Sequence, residues 1–356
     1  MYKVIKRGEM SSAARVGVQI AGVVLALVAA AIFLLFVGLN PLEVYAEMLK
    51  GSYATPYRVR QTIIMAVPLI IISLGIAIAF RMKFWNIGAE GQVLMGGFMG
   101  AYFAYNFADL PKPILLTVML IAGLIGGGLW ALIPGILKVR FNTSESITTL
   151  MLNYVALGWV QYLQYGPWKD PKAMGMPKMP LFESSAVLPN VFGVHIGWII
   201  ALILVVVVYI FMNYTKKGFE LAILGESENT ARYAGVNIRR TMLLAVFLSG
   251  ALSGLAGAIQ ASAVNTQLSV GLAGGIGYTA IITAWLSGLS APVIVLVCIL
   301  FATLTQGGSY IQTVFGIPAA AAQILQALIL FFVLGSNFFT RYKLVRKSQA
   351  KKEEVA

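Results

Sequence analysis

The chain has 356 residues, of which 59% are hydrophobic and 11% charged, and a formal net charge of +13. Soluble domains carry about 25% charged residues. Much of this chain must therefore have lipid as its solvent, and a soluble enzyme is excluded. The basic balance does not point to nucleic acid, because the charges sit in short runs between apolar segments, as in loops that flank membrane spans.

Lys3, Lys6, Arg7 and Arg15 precede an apolar run from Val16 to Leu39. A signal peptide has an apolar core of roughly 7–15 residues before a small-residue cleavage site. This run is longer and continues past Ala29-Ala30, which predicts a retained first helix. Further apolar segments follow at 62–80, 91–108, 113–137, 146–165, 196–214, 241–263, 277–290, 292–306 and 317–340. At about 20 residues per span, they predict an all-α fold: a polytopic bundle of about ten transmembrane helices within 16–340. A cytosolic segment 1–15 precedes it and a basic cytosolic tail 341–356 follows.

The eighth and ninth segments are short and are parted by Ser290-Ala291-Pro292, with a glycine-rich stretch, 271–277, before them. Irregular backbone at membrane depth survives only inside protein or beside water. The stretch is thus either a re-entrant segment or an ordinary loop.

With the N-terminus placed in the cytosol, the inner segments hold 19 Lys and Arg and the outer segments 7. The positive-inside rule then puts both termini in the cytosol, loop 166–195 outside and loop 215–240 inside. From Thr241 to Thr340 there is no Asp, Glu, Lys or Arg. Buried membrane charges mark ion and proton relays, so this half cannot carry a carboxylate relay. Small residues spaced by four, at Gly96/Gly100/Ala104, Gly123/Gly127 and Gly250/Gly254/Ala258, predict close helix packing. The alikeness of the fourth and seventh segments would also suit corresponding helices of an internal repeat.

Three segments carry polar groups where mechanism could lie. Around Asn86, Glu90 and Gln92, glycines flank a carboxylate and two amides where the third span begins. This is either a helix cap or a broken helix whose polar turn faces a pathway. Thr149 and Asn153 share a face of the fifth span. Asn153, about two turns in, needs another helix, water or solute as its partner. In loop 215–240, Glu228 and Arg232 are four apart in the order that supports a helix, and Gly235 would close it. A short cytosolic helix from Glu226 to Gly235 follows. Its mixed charges suit a polar groove better than a lipid surface. Ala231 and Ala234 permit close approach and Tyr233 could anchor the contact.

There is no G-x-x-x-x-G-K-[ST] phosphate loop and no H-E-x-x-H motif. With one cysteine, Cys298, and one histidine, His195, the chain has no disulfide framework and no metal site. No catalytic cluster and no cofactor are expected on this chain.

At these three segments the sequence resembles the permease family of bacterial binding-protein-dependent ABC importers, the ribose and branched-chain amino acid permeases, in its nucleoside or simple-sugar branch. The carrying stretches are Asn86-Ile-Gly-Ala-Glu-Gly-Gln92, Ile147-Thr-Thr-Leu-Met-Leu-Asn-Tyr154 and Gly225-Glu-Ser-Glu-Asn-Thr-Ala-Arg-Tyr-Ala-Gly-Val-Asn237. The stretch Thr143–Ser146 departs from the Asn-Glu-Val that the branch more often carries. The resemblance implies about ten helices in an architecture like that of the vitamin B12 importer, embedded in the lipid bilayer of the bacterial inner membrane. It implies a second permease, a heterodimer partner, and an extracytoplasmic substrate-binding protein. It also implies two cytosolic ATP-binding subunits, which hold the ATP and magnesium. Asn86, Glu90, Gln92, Thr149 and Asn153 become candidates for the translocation pathway. Glu226, Glu228, Ala231, Arg232, Tyr233, Ala234 and Gly235 become candidates for coupling to the ATPase. An ion-coupled secondary transporter of a small polar solute is the alternative, but its mark, a carboxylate deep in a span, is absent.

Overall fold

The computed structural model describes residues 2–6, 11–173, 175 and 177–346. Residues 7–10 and 347–356, which belong to the flanking cytosolic segments expected above, lie outside the described residues.

In chain order the elements are β1 (Tyr2–Lys6), α1 (Ser12–Phe36), α2 (Pro41–Tyr53), α3 (Pro56–Arg81), α4 (Ala89–Asn106), α5 (Lys112–Phe141) and α6 (Glu145–Tyr165). The outer loop then carries a 3-10 turn (Ser184–Ala186) and the two-residue strands β2 (Asn190–Val191) and β3 (Val194–His195). After it come α7 (Gly197–Tyr214), α8 (Lys216–Glu226), α9 (Glu228–Tyr233) and α10 (Ile238–Gln260), which runs on as a π turn, Ala261–Asn265. The chain closes with α11 (Ile276–Leu286), α12 (Ala291–Phe315), α13 (Ala319–Arg341) and β4 (Tyr342–Arg346).

Every one of the ten apolar segments is helical. Among the described residues, six helices are long and apolar enough to cross a membrane, and a seventh span results if α1 and α2, bent by 111°, count as one. The helices α4 and α6 have the length, at 18 and 21 residues. Their glycines and polar groups dilute the apolar signal. The ninth segment extends to Phe315, well past the boundary at 306 that the sequence suggests.

The chain divides into two compact units, one of its two ends (up to Val59 and from Thr303) and one of its middle (Arg60–Ala302). In the unit of the ends, α1 packs along α13 around Ala26, Ala30, Leu34, Leu325 and Ile329. Strand β1 pairs antiparallel with β4, Tyr2 opposite Arg346. The two described ends thus lie side by side in this unit.

The middle unit is built on α4, α5 and α10, whose glycines let backbones touch. A Cβ on Gly96 would come within 2.2 Å of the Gly254 Cα, and one on Gly127 within 2.3 Å of the Gly250 carbonyl oxygen. These are the small-residue rows seen in the sequence. The alike stretches of α5 and α10 pack against each other, Gly127 on Gly250 and Gly254.

The outer loop is bonded down onto the bundle. Tyr105 donates to the Pro180 carbonyl at 2.8 Å, and the Phe182 N–H donates to the Thr266 carbonyl at 2.8 Å. His195 is buried in β3, and both ring nitrogens lack a hydrogen-bond partner. Burial therefore lowers its pKa to about 4.

Candidate functional site

The turn between α3 and α4 is held by a closed polar network. Asn86 is fully buried. Its Oδ1 accepts from the Gly88 N–H and from Gln92 Nε2, both at 3.0 Å. Its Nδ2 donates to Gln92 Oε1 at 3.1 Å and to Ser249 Oγ, on α10, at 3.0 Å. From α6, Thr149 Oγ1 accepts the Ile87 N–H at 3.2 Å. Asn153 Oδ1 accepts the Gly91 N–H at 2.9 Å, while its Nδ2 donates to the Ile87 carbonyl at 3.0 Å and to the Tyr278 hydroxyl at 3.2 Å. The buried amides thus have the partners that a low-dielectric site demands.

Gly91 is needed for this closeness: a Cβ there would lie 2.9 Å from Asn153 Oδ1 and 3.0 Å from its Cα. Asn153 lies eight residues, about 12 Å, into α6. The turn between α3 and α4 is therefore packed against the middle of α6 rather than its start.

Glu90 does act as a helix cap, but for a different helix. Its carboxylate accepts the N–H of Gly275 at 2.7 Å and of Gly277 at 2.8 Å. These are free amides at the start of α11, where a negative charge also complements the helix dipole. The chain upstream passes the C-terminal end of α6, where the Val270 N–H donates to Gln164 Oε1 at 3.0 Å. Segment 266–275 runs as irregular backbone, turning through Gly274 and Gly275, both at positive φ. The helix α11 that follows has 11 residues, about half the length that a bilayer requires. The glycine-rich stretch is thus an irregular lead-in to a short helix, held to the protein by Glu90.

Near its other end α11 is fixed as well. Ser73 on α3 hydrogen-bonds Thr283 at 2.6 Å, and Trp285 stacks on Trp85 with centroids 5.3 Å apart.

Four of the five pathway candidates, Asn86, Gln92, Thr149 and Asn153, are buried and bonded to the protein's own groups. Glu90 alone is half-buried. Sequence reasoning missed Ser249, Tyr278 and the two glycine amides as members of the network. The run of glycines at 271–277 was the available signal for the amides. Ser249 and Tyr278 had none.

Loop 215–240 forms two helices instead of one. Thr215 caps α8 by accepting the Gly218 N–H at 3.1 Å, and Ser227 caps α9 by accepting the Thr230 N–H at 3.3 Å. Gly235, at φ +73°, closes α9, with the Val236 N–H on the Ala231 carbonyl at 3.0 Å. The pair Arg232–Glu228 forms at 3.3 Å on the surface. Helix α8 is seated hard against the membrane helices. A Cβ on Gly225 would lie 2.1 Å from the Arg81 carbonyl oxygen at the end of α3. Glu220 takes Lys217 at 2.7 Å and the Thr241 hydroxyl of α10 at 3.0 Å, and Lys217 holds its carboxyl below the usual range.

Tyr233 is 93% exposed, and Glu226, Glu228, Arg232, Ala234 and Gly235 are exposed too. Ala231 departs from the expectation of an open contact residue, because it is fully buried on the inner side of α9. A cleft of about 480 Å³ beside α9 is lined by Glu228, Arg232, Lys138 and Arg239, among others.

The chain is thus a bundle of long apolar helices closed around a buried polar network. The family model "Branched-chain amino acid transport system / permease component" matches residues 59–334. The chain belongs to this permease family. It is 33% identical to the glucose ABC transporter permease protein TsgB13 of Haloferax volcanii over 92% of this chain and 89% of that one. It is likewise 33% identical to the guanosine ABC transporter permease protein NupP of Bacillus subtilis, over 90% and 93%. Among solved structures, PsaBC from Streptococcus pneumoniae in complex with Fab aligns with a TM-score of 0.46 and 16% identity, over 82% of this chain and 95% of that one.

Proposed function

We propose that this chain is the pathway-forming permease subunit of an ATP-driven importer for a nucleoside-like or sugar-like solute, with hydrolysis carried out by separate cytosolic subunits. One observation carries the reading within this chain: the carboxylate of Glu90 is already committed to the Gly275 and Gly277 amides. It serves as a structural clasp on a broken span. An ion-coupled secondary transporter would use such a group as its relay. Energy must then enter from elsewhere, and the rigidly seated α8–α9 element offers the place, with Tyr233, Ala234 and Arg232 presented to an ATPase groove. The names of the relatives support the solute class.

The same reading has ten crossings with both termini in the cytosol, in an architecture like that of the vitamin B12 importer. A second, different permease chain completes the membrane assembly, and an extracytoplasmic binding protein delivers the solute. ATP and magnesium reside on the partner ATPase subunits, and Asn86, Gln92, Thr149 and Asn153 act on transport by holding the broken span in register. Affinity purification of the tagged chain from its native membrane tests this. An ATP-binding subunit should be recovered with it, and a chain recovered without one would contradict the reading.

A further inference from the structure

On α5 the exposed residues within the span include the aliphatic Ile121, Ile125 and Leu129, and on α7 Ile203, Val206 and Ile210 are joined by Tyr209 and Tyr214 toward its end. The exposed side of α6 mixes Ile147, Met151, Val155 and Trp159 with a row at helical spacing, Tyr154, Gly158, Tyr162 and Tyr165. Tyr162 and Tyr165 stand near the outer end, where membrane interfaces favour tyrosine. Tyr154 does not. It lies nine residues, about 14 Å, into the helix and is 61% exposed. A hydroxyl placed there in hydrocarbon would be costly.

Tyr278, in the first turn of α11, is exposed as well, as are Gly271 and Gly274 on the irregular chain before it, and lipid cannot cover such backbone. The two surfaces are joined, since Asn153, the neighbour of Tyr154, donates to the Tyr278 hydroxyl at 3.2 Å. Neither α6 after Glu145 nor the whole stretch 241–340 carries a charge.

Resting on the functional reading above, we propose that Tyr154 and Tyr278 form the wall along which the solute passes. The wall suits an uncharged, ring-bearing, hydroxylated solute. The two tyrosines offer faces to the ring and hydroxyls to its edge, as aromatic groups with a polar tip do. A charge-free wall matches a neutral solute and leaves a charged one without a partner.

The test uses the assembled transporter in proteoliposomes, with Cys298→Ala and single cysteines at Tyr154, Gly158 and, as the lipid-side control, Val206. A water-soluble maleimide should label Tyr154→Cys and Gly158→Cys but not Val206→Cys. Guanosine or glucose, whichever is carried, should slow labelling of Tyr154→Cys about tenfold, the scale of one lost stacking contact. In a separate uptake assay Tyr154→Leu should lower transport by a similar factor and Tyr154→Phe by much less. Labelling of Tyr154→Cys as poor as that of Val206→Cys would overturn the proposal in favour of a lipid face. Cross-linking of Tyr154→Cys to a second permease chain without aqueous labelling would overturn it in favour of a subunit interface. Labelling without protection by any carried solute also overturns it and leaves the functional reading standing. That reading fails separately if the unsubstituted assembly shows no ATP-driven uptake.

Discussion

The carboxylate of Glu90 holds the backbone amide of Gly277 at 2.8 Å, across 187 residues of chain. This contact, with its companion at Gly275, fixes where the broken span resumes as helix. Charge-assisted hydrogen bonds are worth about 1.5–3 kcal/mol each. Glu90→Gln keeps an acceptor but loses the charge, and Glu90→Ala loses both bonds. Transport should fall in that order while the subunit still assembles. Uptake measured alongside size-exclusion profiles checks this, and normal transport by Glu90→Gln would reduce the clasp to a dispensable cap.

The backbone contacts among α4, α5 and α10 leave no room for a methyl group. Gly127→Ala would drive its Cβ to 2.3 Å from the Gly250 carbonyl oxygen, whereas a Cβ on Gly158 meets nothing within 4 Å. Gly127→Ala should cost about 1–3 kcal/mol through overpacking and lower the thermal unfolding temperature. Gly158→Ala should leave that temperature unchanged. Thermal denaturation in detergent separates the two.

The two alanines of α9, alike in the sequence, separate in the structure. Ala231 is fully buried and Ala234 is exposed. Ala231→Glu should bury an unpaired charge and destabilise the cytosolic element itself. Ala234→Glu should leave the fold intact and release the ATPase, or leave hydrolysis without transport. Pull-down and thermal unfolding, run on both variants, give opposite patterns if this is right.

Much of this architecture was legible in the residues. Long apolar runs gave every span a helix, because a bilayer demands internal backbone bonding and the sequence can supply it only that way. The rows of glycine and alanine marked the tightest contacts for the same reason. Loop 215–240 was half legible. Its charge pair and closing glycine were visible, but the break at Ser227 and the inward side of Ala231 depend on tertiary contact with the membrane helices. The polar site was least legible. Glu90 looked like a cap for its own helix, and nothing in the spacing tells that its partners lie on α11. Likewise Ser249, one serine in a small-residue row, shows its role only once Asn86 is placed against it.

Pairing of β1 with β4 puts the described chain ends side by side, and the distribution of Lys and Arg chooses which side. Lys178→Cys, at an exposed position of the outer loop, should react with an impermeant thiol reagent in intact cells. Reaction only after the membrane is opened would reverse the orientation.

The central claim is that energy enters through the cytosolic element and not through an ion gradient. Its most direct measurement is solute uptake by the purified assembly in vesicles, with ATP supplied on the α8–α9 side and proton and sodium gradients collapsed. The account predicts uptake of a nucleoside or sugar that continues under these conditions and stops without ATP. Uptake that ignores ATP and disappears with the gradients would contradict it.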